Sequence, residues 1–144
     1  MGISSGEIVT QSVAAALTEL SGLGVAARRG RWPKYAIADL VDLKVDVIVE
    51  FPADMDAHDR VSTATDMPIV VIVQRQCEPS DDAKCEELTA LLESIAQWLA
   101  LTPIEEIGQP IEPLRIDRND ALLDEGQFIG AVACVYRVFR EAAI

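Results

Sequence analysis

The sequence predicts an α+β domain: a mostly antiparallel sheet of about four to five strands with two helices packed against it. Three observations carry this. Two segments repeat apolar residues at steps of three and four, as helices do. Several others alternate apolar and polar residues or run continuously apolar, as strands do. The two kinds intermix without the strict alternation that a doubly wound parallel sheet requires. With 144 residues, no linker and no internal repeat, the chain reads as a single domain over 1–144.

The elements follow in order. Over 6–20, Ile8, Val9, Val13, Ala16, Leu17 and Leu20 form one helical stripe. Ser4 or Ser5 is available as its cap, and Gly22 and Gly24 lie just past its end. Residues 25–29 read as a short strand, ended by Gly30 and Pro33. Over 44–51, Val45, Val47, Val49 and Phe51 alternate with Lys44, Asp46 and Glu50, which predicts a strand with one face in the core, closed by Pro52. The polar, acidic stretch 53–62 reads as a loop. The apolar run that opens at Pro68 and reaches Arg75 suits a central strand covered on both faces.

A second helix follows. Ser80, Asp81 and Asp82 supply capping and dipole-favourable charge, and Cys85, Leu88, Leu91, Leu92, Ile95 and Leu99 form its buried stripe. Glu86, Glu87, Glu93 and Gln97 take the opposite side, and Trp98 falls near the stripe's edge. The segment 102–113 holds three prolines and a glycine and reads as a connection, with 111–116 an edge strand because Pro113 lacks a ladder donor. A polar excursion over 117–125 leads to a long last strand, 127–140, apolar on both faces and so expected to be central or to face a partner.

Half the residues are hydrophobic, which excludes a disordered chain despite a formal charge of −12. That acidity argues against a nucleic-acid or anionic-membrane binder. No run approaches the roughly 20 apolar residues of a membrane span. The start lacks a secretory pattern, so the expectation is a soluble intracellular protein. Cys77, Cys85 and Cys134 are odd in number and form no C-x-x-C, suggesting neither a disulfide framework nor zinc. Cys134 reads as a buried thiol, and a Cys77–Cys85 pair closes only if the fold brings the two together.

No catalytic constellation is legible. His58, the sole histidine, lies in an acidic loop with no nucleophile nearby. Asp54, Asp56 and Asp59 resemble part of a calcium loop without its Gly or its distant Glu. The adjacent acids Glu105-Glu106 and Asp124-Glu125 read as surface. No phosphate-binding glycine motif occurs. These observations predict no catalytic residue, no metal and no cofactor.

A cluster of basic residues interrupts this acidic chain. Arg28, Arg29, Arg31 and Lys34, interleaved with Trp32 and Tyr35, hold four of the 12 basic residues within seven positions. Three readings apply: a stacking and phosphate patch, a solvated basic face, or a contact with an acidic surface of a second copy or partner. The last is favoured, because Arg and Trp anchor interfaces.

A pattern runs through the chain: Arg28-Arg29-x-x-x-Pro33, then Ala38-Asp39-Leu40-x-x-Leu43, then Val45-x-Val47-x-Val49. It continues with Arg60, the strand Ile69 to Gln74, the helix bearing Leu88, Leu91, Ile95 and Leu99, and Gln127-Phe128 with Val135-Tyr136-Arg137-Val138. In this order it resembles the small tail-terminator-like proteins of tailed bacteriophages and prophages. The Glu125-Gly126 turn and the 102–113 connection depart from that pattern.

The resemblance implies a structural virion protein without catalysis, assembled in the host cytoplasm. It implies a homo-oligomeric ring, typically six subunits, that caps the tail tube and joins it to the head-side adaptor or stopper. Genomic DNA passes through the lumen without sequence-specific binding. The alternatives are a head-completion or stopper protein of the same neck, or a small acidic ligand- or metal-binding domain using the 54–59 loop and His58.

Overall fold

The computed structural model describes residues 5–21, 25–28, 40, 42–49, 64–104, 107–118 and 126–139. Its elements are α1 (Ser5–Ser21), β1 (Val25–Arg28), β2 (Lys44–Val49), β3 (Ala64–Gln76), α2 (Asp82–Leu101), β4 (Arg115–Arg118) and β5 (Gln127–Phe139). The strands form one five-stranded sheet in the order β1-β2-β3-β5-β4. Three of the four pairings are antiparallel and only β1–β2 is parallel. The fold is α+β, with two helices on a mostly antiparallel sheet.

Both helices lie on one face of this sheet. From α1, Val9, Val13, Ala14 and Leu17 join a single core with Leu88, Leu92, Ile95 and Leu99 of α2. The strands contribute Val45, Val47, Ile69, Val71, Phe128, Val132 and Tyr136 to the same core. Alternation along each strand puts these residues on one side of the pleat. Helix α1 packs over β1, β2 and β3, while α2 packs over β5 and β4.

Helix α2 begins as its sequence predicts. The Asp81 side chain accepts a hydrogen bond from the Lys84 backbone N–H at 3.0 Å, which satisfies one of the donors a helix start leaves open. Its polar side is exposed at Glu86, Glu87, Glu93 and Gln97, and Trp98 is half-buried. Cys85 and Leu91, expected in the buried stripe, are only half-buried, and Ala96 takes a place in it instead.

The opposite face of the sheet corrects the sequence reading of β2. Ile48, Val70, Ile72 and Ala131 make a second buried cluster there, with Ile129 packed against it. Asp46, expected on a solvated polar row, is only 1 % exposed, and Gln74 is 2 % exposed. Both are engaged with partners, as buried polar groups must be. The strand is therefore covered on both sides.

Three strand boundaries also differ from expectation. β3 starts at Ala64, four residues before Pro68. Among the described residues the β2–β3 ladder ends at Val49 with Ile69, and Pro68 pairs with Val135 of β5. The edge strand expected over 111–116 forms at Arg115–Arg118 instead. Pro110 and Pro113 deny donors to the preceding stretch, where only the Ile111 N–H reaches β5, bonding the Val135 carbonyl at 2.8 Å. As a result the first two residues of the expected polar excursion, Asp117 and Arg118, belong to β4.

The 102–113 connection is held by a tight turn. Ile104 and Gly108 exchange backbone hydrogen bonds at 2.9 and 2.6 Å, and Gly108 sits at φ +75, a conformation side chains disfavour. Helix α2 crosses β5 so closely that a Cβ on Gly130 would lie 2.2 Å from Leu92 Cδ1. β5 lies between β3 and β4, the central position its two apolar faces predict.

Candidate assembly surface

Among the described strands, the sheet order leaves β1 at one end and β4 at the other. All four residues of β4 are exposed. Its one described neighbour is β5, which it meets through the pairs Arg115–Ala133, Ile116–Val132, Asp117–Ala131 and Arg118–Gly130. Arg115 Nε contacts Asp117 Oδ2 at 3.2 Å, an exposed pair worth about 0–1 kcal/mol. Charges of this kind on an edge strand discourage indiscriminate pairing.

Arg118 ties the edge to the helix above it. Its Nη1 donates to Thr89 Oγ1 at 3.3 Å and lies 4.0 Å from Cys85 Sγ. These residues, with Glu86, Ala90 and Glu93, line an open groove of about 220 Å³. Arg118 is no base for Cys85, since a guanidinium cannot take the proton of a thiol. Beside it, α2 carries four carboxylates against one lysine. Lys84 is held at 3.5 Å from Glu87, so α2 is acidic, whereas β4 carries Arg115 and Arg118 against Asp117.

Large hydrophobic side chains are also exposed here. Among the described residues, those most open to solvent are Leu101 at 68 %, Ile111 at 41 % and Ile116 at 41 %. Ile116 belongs to β4, and Ile111 bonds to β5 just ahead of it. The β4 flank thus combines an exposed edge, two apolar side chains and a rim of charge, the composition of an interface patch.

Of the basic cluster singled out in the sequence, Arg28 ends β1 and pairs in register with Ile48. Arg29, Arg31, Trp32, Lys34 and Tyr35 lie outside the described residues, as do the cap Ser4, the loop 53–62 with Asp54, Asp56, Asp59, His58 and Arg60, and the acids Glu105, Glu106, Asp124 and Glu125. Among the described residues, no group of three or more His, Cys, Asp or Glu side chains stands close enough to hold a metal ion. None of the described helices is long and apolar enough to cross a membrane. The exposed β4 residues were missed as a site because nothing in Arg-Ile-Asp-Arg signals function; Pro113 beside them signals only an edge.

The three cysteines are free thiols. The Cys77 thiol is raised above its ordinary range by burial, and by the neighbouring Cys85 and Asp81. Burial pushes Cys134 up to about 12 from an ordinary 9.0. Tyr136, buried beside it, is pushed upward by the same cause and by Cys134 itself. The folded state therefore holds these protons more tightly than the unfolded chain does. The Cys134 contribution to stability is complete below pH 9 and is lost as pH rises toward 12, at about 1.4 kcal/mol per pH unit while the unfolded thiol alone is ionised. Melting temperatures measured from pH 8 to 11 are expected to fall above pH 9, and Cys134→Ala is expected to make that fall shallower.

Neither a protein-family model nor a curated protein matches this chain.

Proposed function

We propose that this chain is a structural subunit that assembles head to tail into a ring, of the kind that caps a phage tail tube and joins it to the head connector. The observation that carries the reading is that the described sheet ends in two unlike strands, β1 parallel to its neighbour and β4 antiparallel to its own. Head-to-tail rings need two different, complementary patches on each copy, whereas a two-fold dimer needs one self-complementary patch. The segments on which the tail-terminator resemblance rests support it too. The Val45 alternation lies on β2, Ile69 to Gln74 on β3, the leucine stripe on α2, and Gln127 to Val138 on β5, all within one sheet and its covering helix. The chain's negative charge is compatible with a lumen through which DNA slides, because like charge prevents sticking.

Partner choice tests the reading. Purified protein mixed with tail tubes of the cognate phage is expected to sediment with them and to cap their ends. Binding instead to portal or adaptor rings would make it a stopper of the same neck. A melting temperature raised by Ca²⁺ or Zn²⁺, with no binding to either structure, would favour the small acidic ligand-binding domain.

A further inference from the structure

We propose that free copies of this chain pair two-fold through β4, the strand of one copy lying antiparallel to the same strand of a second, centred on Ile116. The inference goes beyond the ring reading and does not need it.

The β4 edge is open to such a partner. All four of its residues are exposed, and among the described strands none lies on its outer side. Arg115 and Asp117 pair with Ala133 and Ala131 of β5, whereas Ile116 and Arg118 pair with Val132 and Gly130. Val132 belongs to the core beneath the helices. Ile116 and Arg118 therefore share the helix side of the sheet, and Arg115 and Asp117 share the other.

Symmetry then selects the register. A two-fold axis that sets an edge strand antiparallel to its own copy stands perpendicular to the sheet, so the helix sides of the two copies coincide. Residues that face each other must lie on the same side, which centres the joint on a residue rather than between two. Centred on Arg115 or Arg118, it sets two guanidiniums face to face; centred on Asp117, two carboxylates. Only the register centred on Ile116 matches charge: Arg115 faces the partner's Asp117, and Asp117 faces the partner's Arg115.

Opposite charges directly across a ladder are favourable and like charges are not. The 3.2 Å contact of Arg115 Nε with Asp117 Oδ2 along each strand joins the two cross-strand pairs into a square of alternating sign. On the helix side, the exposed Ile116 side chains cover each other. Arg118 of each copy, bonded to Thr89 of α2, puts positive charge between the two acidic helices. Pairing of this kind shields an edge that would otherwise template foreign strands. A four-residue ladder is short, so the pair holds β4 in free subunits and yields it on assembly.

Charge exchange tests the register. Sedimentation velocity of the full chain is expected to show a species of two 15.6 kDa subunits that dissociates on dilution. Arg115→Asp and Asp117→Arg proteins each set like charges opposite one another. Each alone is expected to pair about tenfold or more weakly than the unsubstituted chain, with an unchanged circular dichroism spectrum. Mixed in equal amounts they are expected to pair again, because one variant then presents two carboxylates and the other two guanidiniums.

Single variants that pair as tightly as the unsubstituted chain, or a mixture that pairs no more tightly than its components, would overturn the proposal. Rings without a two-subunit species at any dilution would overturn it too, and leave the ring reading standing. Pairing recovered in the mixture, by a chain that never closes into rings, would uphold the proposal and remove that reading.

Discussion

Replacing Leu92 with alanine is expected to cost about 2–5 kcal/mol of unfolding free energy, and Gly130→Ala on its own about 1–3 kcal/mol. Combined, the two should cost less than their sum. Leu92 is 1 % exposed and its Cδ1 and Cγ would stand 2.2 and 3.1 Å from a Cβ on Gly130. The methyl added by Gly130→Ala therefore has to displace a side chain locked in the core. Truncating Leu92 empties the space that methyl needs, so the added carbon partly fills a cavity. The coupling should fall in the range of about 0.5–3 kcal/mol typical of contacting pairs. Urea titrations of the four proteins of the cycle measure it, and strict additivity would mean that α2 and β5 do not approach so closely.

Tyr136 offers a sharper contrast. It is fully buried on β5 opposite Met67, and its hydroxyl has no hydrogen-bond partner among the described residues. Tyr136→Ala removes a large core side chain and should cost about 3–5 kcal/mol, by analogy with other aromatic truncations. Tyr136→Phe removes only the unsatisfied hydroxyl. Since a buried unpaired polar group costs about 1–3 kcal/mol, the phenylalanine variant should match or exceed the parent in stability. A loss of more than about 1 kcal/mol in Tyr136→Phe would show that the hydroxyl is bonded.

These two sites also mark where sequence reading stops. The apolar character of Tyr136 and Leu92 is visible in the period of their elements, and the elements themselves are legible: the α2 helix with Asp81 at its head, the valine alternation of β2 and the continuous run of β3 all form, although β3 opens four residues ahead of its run. The contact of Leu92 with Gly130 is not legible, because it depends on how the two elements cross. Arg118 with Thr89 and Cys85 is of the same kind, joining residues 29 and 33 positions apart. Asp46 was misread for a related reason. Its neighbours alternate like a strand with one wet face, but the buried cluster of Ile48, Val70, Ile72 and Ala131 shares that face. β4 carries little strand propensity in Arg-Ile-Asp-Arg; the ladder it makes with β5 holds it in place, so its exact span had no local signal.

The candidate surface was half legible. An edge strand near Pro113 and an acidic α2 face could be read from residue types alone. Which edge stands opposite β1 could not, because strand order is set by pairing rather than by sequence order. The basic cluster drew attention to the β1 side, and the exposed β4 flank with Ile111 and Ile116 emerged only from the sheet.

Negative-stain images of the purified chain, taken with its weight-average mass from light scattering, test the central claim most directly. The account predicts closed rings with a central hole and a mass near six subunits of 15.6 kDa. Isolated 15.6 kDa particles at every concentration, unchanged when tail tubes are added, would contradict it.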